Sequence, residues 1–433
     1  RFLQQHLSAE EVEFTTYFSE SVLARLHFVM RVPEIHRVKY KLAELENSII
    51  QLIKPWDDSF LDVLLQLYPD SEAGRLQKVY TRCYSAAYKE VYSAEEAVKD
   101  IARIDNVVAS QDLALDLNTC SSEIGAELSF KIFSYRHQLF LSDVAPILEN
   151  LGLNIISEKA FKLQPGSDHT VWLHDFSLYR KRKSGDVFCE ELKHKFEAAF
   201  NAIWHEKIDD DTFNELVITG RVGWRDAALI RAYSAYLKQI QFGYSAQFIA
   251  ATLSQHEPIA KLLIRYFYCL FDPALKQSER RNAKQLSRKI LTAIDGVENL
   301  SEDGVLRTFL SLFEATLRTN YFQSAESGEH KHYFSFKINP EQLDGMPLPK
   351  PKFEIFVFSR QMEGVHLRGG RVARGGLRWS DRREDYRTEV LGLVKAQQVK
   401  NSVIVPVGAK GGFVVKQPVP PLDREQYMSS GID

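Results

Sequence analysis

The chain has no run of about 18 consecutive apolar residues, which excludes a transmembrane helix. It also lacks an excess of one charge. A formal net charge of −2 over 433 residues gives no global pull toward nucleic acid or anionic lipid. Cysteine is scarce: Cys83, Cys120, Cys189 and Cys269 are scattered, with neither metal-ligand nor redox spacing. All four are expected to be buried small hydrophobes in a reducing cytoplasm. The start, Arg1 to His6, lacks the basic-then-apolar layout of a signal peptide. No Gly-x-Gly-x-x-Gly opens a helix, so no Rossmann dinucleotide turn is expected.

What is present is a composition of 45% apolar and 26% charged residues, that of a globular protein able to bury several cores. Two to four domains are expected from the length. Residues 12–32 alternate around Val12, Phe14, Leu26, Phe28 and Met30, which predicts a strand pair with one covered face. From Glu34 to about Ala97 the pattern is helical. Leu42, Leu45, Ile49, Ile50 and Ile53 make one stripe, Pro55 stops it, and Asp57 to Ser59 offer caps for the next helix.

Residues 128–180 read as strand, helix, strand, strand. Phe130 to Tyr135 alternates, Leu141 to Asp143 is expected to cap a helix, and Gly152 sits where a left-handed stop is usual. Asn154 to Glu158 and Thr170 to Phe176 supply the other strands. This order resembles the ferredoxin-like plan of ACT domains, or a split β-α-β unit serving only as scaffold. From 186 to 322 nearly everything reads as helix. Ala232, Tyr236 and Leu237 share one face, and Ile259, Leu262, Leu263, Tyr266 and Phe267 share another, ended by Asp272 and Pro273. Asn320 to His332 reads as a polar connector, and Pro340, Pro347, Pro349 and Pro351 as a stiff approach to the last domain.

The chemistry concentrates at the C-terminal end. Glu354 to Ser359 and Val365 to Arg368 read as strands, followed by the glycine pairs Gly369-Gly370 and Gly375-Gly376, where a ligand can approach the main chain. Asp381 and Glu384 suggest a capping box for a helix carrying Tyr386, Val390, Leu393, Val394 and Gln397 and ending by Lys400. Asn401 to Val407 then reads as a buried strand, Gly408 to Gly412 as a loop, and Phe413 to Lys416 as the next strand. Lys395, Lys400 and Lys410 would thus share a helix, its end and a glycine-rich loop. Crowded cations favour an anionic ligand, burial and repulsion turn a lysine toward a base, and arginine offers a fork to a carboxylate. An amino-acid or oxo-acid site needs those residue types.

Other features read as structural. Arg382, Arg383 and Arg387 are expected on a solvated helix face beside Glu384, Asp385 and Glu389. Lys395 alone reads as a surface residue, His330 and His332 as connector, and His174-Asp175 as a satisfied strand pair. The lysine loop is no P-loop, because the following Ser/Thr and the spaced leading glycine are missing.

The run from Glu354 to Lys416 resembles the segment of glutamate dehydrogenases that precedes their dinucleotide domain. Trp172 to Phe176 and the ACT-like and helical regions resemble the large, multidomain NAD-dependent subgroup of bacteria. The resemblance is strong over 350–416 and looser before it. It implies that Lys410 is the catalytic lysine of the Lys-Gly-Gly loop, acting on the reacting carbon and its water during imine hydrolysis. By the same resemblance Lys400 holds the substrate α-carboxylate. Arg374 falls where hexameric relatives bind the γ-carboxylate with a lysine, and Arg378 and Ser380 support the site. Val407-Gly408 replaces the usual glycine pair, and Lys400 and Lys410 stand closer than in the hexameric enzymes, which marks a divergent subgroup.

The implied reaction is oxidative deamination of L-glutamate to 2-oxoglutarate and ammonia with NAD as cofactor. The family's catalytic aspartate and Rossmann domain follow the lysine loop by more residues than remain after Gly412. The chain is therefore expected to be a fragment, inactive alone, of a homo-oligomeric enzyme whose NAD-binding domain is absent from it. The expected fold class is α+β multidomain. Residues 1–110 form a strand pair plus helical module (an ACT-like remnant), 111–185 an ACT-like ferredoxin-fold module, 186–325 a helical domain, and 326–433 the truncated start of a glutamate-dehydrogenase-like α/β catalytic domain. A rival expectation is an amino-acid-sensing regulatory protein built on ACT-like modules, with an amino-acid effector and a vestigial catalytic segment. Nucleic-acid binding through 368–387 is disfavoured, since acids neutralise that stretch and exposed aromatics are few.

Overall fold

In the computed structural model, which describes residues 2–17, 25–32, 41–119, 127–182, 188–280, 282–371, 373, 375–400, 408–416 and 429, the chain divides into two units. The first comprises residues 1–102 with 164–168, the second residues 103–163 with 169–433.

The first unit begins with α1 (Phe2–His6) and an antiparallel ribbon of β1 (Glu11–Tyr17) and β2 (Arg25–Arg31). The expected alternation is realised, with Val12 opposite Met30 and Phe14 opposite Phe28. The expected cover is not: among the described residues Phe14 is 68% and Leu26 56% exposed. A two-stranded ribbon has nothing of its own to lay over that face. Helices α2 (Leu42–Ile53), α3 (Trp56–Leu67), α4 (Asp70–Cys83), α5 (Ala86–Val91) and α6 (Ala94–Ser110) follow. Pro55 does end α2, but it is also the N-cap of α3. Asp57 and Asp58 therefore sit in the first turn, where carboxylates meet the positive end of the helix, instead of capping it. Buried rings hold these helices together. Tyr84 and Tyr88 stack at 4.4 Å, and the Tyr88 hydroxyl donates to buried Asp100 at 2.8 Å.

The second unit opens with β3 (Ala114–Thr119), β4 (Leu128–Tyr135), α7 (Leu141–Asn150), β5 (Leu153–Leu163) and β6 (Val171–Arg180). They form an antiparallel sheet in the order β3-β4-β6-β5, so β4 and β5 are parallel and split by β6. Gly152 does stop α7, with φ +86°. Phe140 is the N-cap, and residues 141–143 lie inside the first turn. His174 is wholly buried, its Nδ1 2.7 Å from Glu158, and Asp175 accepts from Ser129 at 2.8 Å, the satisfied strand pair expected.

Next come α8 (Glu190–Trp204), α9 (Leu216–Thr219), α10 (Trp224–Gln239), α11 (Ala246–Gln255), α12 (Glu257–Phe271), α13 (Gln277–Arg280), α14 (Ala283–Ile294) and α15 (Leu300–Ala315). Helix α10 is buried nearly all round, including Ala232, Tyr233, Tyr236 and Leu237, and so is the axis of this core. The helical region ends at Ala315, earlier than the sequence suggests, because β7 (Thr316–Thr319) starts there. Then follow β8 (Phe334–Ile338), β9 (Phe353–Phe358), β10 (Met362–Arg368), β11 (Leu377–Trp379), α16 (Tyr386–Lys400) and β12 (Ala409–Val415), giving a sheet ordered β11-β12-β10-β9-β8-β7. Cys83 is buried, but Cys189 and Cys269 are only half-buried, at the start of α8 and late in α12; Cys120 lies outside the described residues. No helix among the described residues is long and apolar enough to cross a membrane.

Candidate active site

Residues Ala409 to Gly412, expected as a loop, are the first half of a strand. β12 pairs antiparallel with β10, placing Lys410 opposite Leu367 and Gly411 opposite His366, and parallel with β11, placing Gly411 opposite Leu377. The glycines are there because their neighbours lie too close for a side chain. A Cβ on Gly412 would come 2.5 Å from Val390 Cγ2, one on Gly411 2.4 Å from Leu377 Cδ2, and one on Gly375 1.5 Å from the Ala409 carbonyl oxygen.

These contacts orient the lysine. Alternation puts Lys410 on the same face as Gly412, the face on which α16 packs through Val390. Gln397 of the same helix lies against Gly408, so α16 runs antiparallel to β12. Its C-terminal residue, Lys400, is thereby brought to the end of β12 that carries Lys410. Lys410 is half-buried and has no hydrogen-bond or ion-pair partner among the described residues. The Lys400 side chain, Arg374 and the expected strand 401–407 lie outside the described residues. Lys395 is exposed.

Arg378 and Ser380 are tied to one carboxylate that sequence reasoning assigned to a solvated face. Glu389 of α16 receives Arg378 Nε at 2.9 Å and the Ser380 hydroxyl at 2.5 Å. The Ser380 amide donates to the Phe413 carbonyl at 2.8 Å, and Trp379 stacks on Phe413 at 6.2 Å, fixing β11 against β12. Arg378 therefore presents a half-satisfied guanidinium at the edge of the α16 face, and Glu389 is the residue that positions it.

The arginine cluster also needs correction. Arg382 does pair with Asp385 on the surface, but Arg387 is wholly buried and ion-paired to Glu354 of β9. Tyr236 of α10 donates to Glu354 at 2.8 Å; burial, and then the Glu354 charge, push its hydroxyl well above the ordinary range and keep it a donor. The expected capping box from Asp381 is not formed, and α16 starts at Tyr386. Gln239 of α10 takes over, accepting from the Arg387 amide at 3.2 Å and donating to the Arg383 carbonyl at 3.1 Å. The helix that faces Lys410 is thus fixed to the helical core, below the site. His366, half-buried on the opposite face, is pushed below the usual histidine range by burial and then by Arg368.

Along its length the chain matches five family descriptions. They are glutamate dehydrogenase ACT2 domain (residues 1–57), helical motif 2 (63–107), ACT3 domain (112–190) and helical motif 3 (208–273), and bacterial NAD-glutamate dehydrogenase catalytic domain (289–433). It is 44% identical over 430 residues to the NAD-specific glutamate dehydrogenase of Halomonas elongata, covering 99% of this chain and 26% of that protein. The proteins of the same description from Pseudomonas aeruginosa (43% over 418 residues, 96% of this chain and 26% of the relative) and Mycobacterium tuberculosis (35% over 453 residues, 99% and 28%) are similar too. The chain spans about a quarter of the length of these relatives.

Proposed function

The chain belongs to the bacterial NAD-specific glutamate dehydrogenase family, and we propose that the whole protein oxidatively deaminates L-glutamate to 2-oxoglutarate and ammonia. The observation that carries this reading is the placement of Lys410 on the α16 face of β12, at the end where α16 delivers Lys400 and beside β11, which carries Arg378 and leads into Ser380. An amine on β12 beside the C-terminal end of α16 suits an anionic substrate held close to its reacting carbon.

In this reading Lys410 is the general acid/base and electrostatic catalyst. Its ammonium stabilises charge developing at the reacting carbon and passes a proton to or from the water that hydrolyses the imine. Lys400 binds the α-carboxylate and Arg374 the γ-carboxylate. Arg378 and Ser380 hold the edge of the site through Glu389. NAD is the cofactor of the family. The described residues do not fit it: the six-stranded sheet is antiparallel except at β11–β12, and no glycine-rich turn leads from a parallel strand into a helix. None of the described residues is assigned to the dinucleotide.

We further place the whole enzyme in the cytoplasm as a homo-oligomer, and read the chain as the divisions 1–110, 111–185, 186–325 and 326–433. The test is glutamate-dependent reduction of NAD by the full-length protein across a panel of amino acids. Turnover selective for glutamate supports the reading; no turnover with any of them shifts it to amino-acid sensing by the ACT-like modules.

A further inference from the structure

A cavity of about 560 Å³ lies in the second unit, where α10 and the segment before α11 meet the ends of β9 and β10 and Lys416. Its charges are unevenly paired. Arg231 forks onto Asp211 at 2.7 and 2.8 Å, Lys416 donates to Asp209 at 2.8 Å, and Lys238 lies 2.8 Å from Glu384. Glu363 is left over. Its nearest cation, Lys416 Nζ, is 3.9 Å away and already committed to Asp209 and to the Ser359 carbonyl at 3.0 Å. The Tyr386 hydroxyl faces Glu363 closely enough for each to shift the other's ionisation, but without a well-aligned hydrogen bond among the described residues.

Two further features of the wall point to a ligand. Ser234, only 4% exposed, has a hydroxyl with no hydrogen-bond partner among the described residues. The rings of Phe242, Tyr244 and Phe358 line the same space, and Phe358 already takes an ammonium, with Lys416 Nζ 4.1 Å from its centroid. A half-buried carboxylate whose ion pair is long, at 3.9 Å, and shared with Asp209 has room for a further positive charge. Aromatic faces favour an organic cation over a strongly hydrated metal ion, and the cations of the wall are largely committed, which disfavours an anion.

We infer that this cavity binds the primary ammonium group of a small organic cation, with Glu363 as counter-charge, Ser234 Oγ as acceptor and the Tyr244 and Phe242 rings as its walls. The inference is independent of the glutamate reading. The ammonium can belong to a polyamine or to an amino acid; in the second case the accompanying carboxylate would meet the N-terminal end of α11, which also borders the cavity.

The test is calorimetric titration of the 433-residue chain with putrescine, with L-lysine in a second arm and butanol as the uncharged control. Saturable one-site binding of either amine and none of butanol is expected. Glu363→Gln should weaken it about tenfold or more, and Ser234→Ala by a smaller factor. Should Glu363→Gln fail to fold, Tyr244→Leu, in the segment before α11, decides the matter by a several-fold loss. Binding of putrescine assigns a polyamine; binding of lysine alone assigns an amino acid. Absence of binding by both amines, or binding unchanged in every folded variant, overturns the inference.

Discussion

Arg387 of α16 and Glu354 of β9 form an ion pair in which both side chains are 0% exposed. The pair joins the helix facing Lys410 to the sheet beneath it, and Tyr236 adds a further hydrogen bond to Glu354. Removing one partner strands a buried charge. Arg387→Met or Glu354→Gln should each cost about 3–5 kcal/mol, whereas Arg387→Met with Glu354→Leu should recover much of the loss. Urea midpoints of the three variants check this; equal losses in single and double variants would show that the pair is not the origin.

The sequence shows why that pair was hidden. Glu384 and Asp385 lie beside Arg387 in the chain and explain a cation locally, whereas its real partner stands 33 residues away across the sheet. Glu389 was concealed in the same way, although it holds both Arg378 and Ser380. Strands with simple alternation, such as Phe130 to Tyr135 and Glu354 to Phe358, were legible, and so was the Gly152 stop. The glycines at 408–412 were misread as a loop because glycine signals both a turn and a close approach. Only the positions of Val390, Leu377 and Gln397 decide between the two.

Gly412→Ala therefore tests close packing, not turn conformation. The added methyl would meet Val390 Cγ2 at 2.5 Å, so the Val390 side chain or α16 must shift. A loss of about 1–3 kcal/mol is expected, and Val390→Ala in the same chain should relieve part of it. Thermal melts of the single and double variants provide the comparison. No change in the single variant would show that the helix yields freely.

Asp116 supplies a pH dependence. Burial acts to raise its carboxyl, but the Lys193 hydrogen bond at 2.5 Å and the Arg103 charge at 2.7 Å hold it below its ordinary 3.8. A depressed carboxylate contributes stability above its unfolded value, and this is lost as pH falls through the folded value. Asp116→Asn should destabilise the fold near neutral pH, with the gap to wild type narrowing below about pH 4. Urea midpoints measured across that range read the effect; a gap independent of pH would assign it to packing.

Glu389→Gln should leave the fold nearly intact, since Arg378 is 59% exposed and exposed pairs contribute about 0–1 kcal/mol. In the full-length enzyme it should raise KM for glutamate several-fold by loosening Arg378 and Ser380. Steady-state kinetics separate that outcome from a fall in kcat alone, which would place Glu389 in the chemistry instead.

Lys410 is assigned the chemistry and Lys400 the binding. The most direct measurement is steady-state reduction of NAD by the full-length protein, with wild type, Lys410→Ala and Lys400→Ala compared over a range of glutamate. In Lys410→Ala kcat should be lower by about 10²–10⁴-fold with KM little changed, and in Lys400→Ala KM should rise. Near-normal turnover by Lys410→Ala would contradict it.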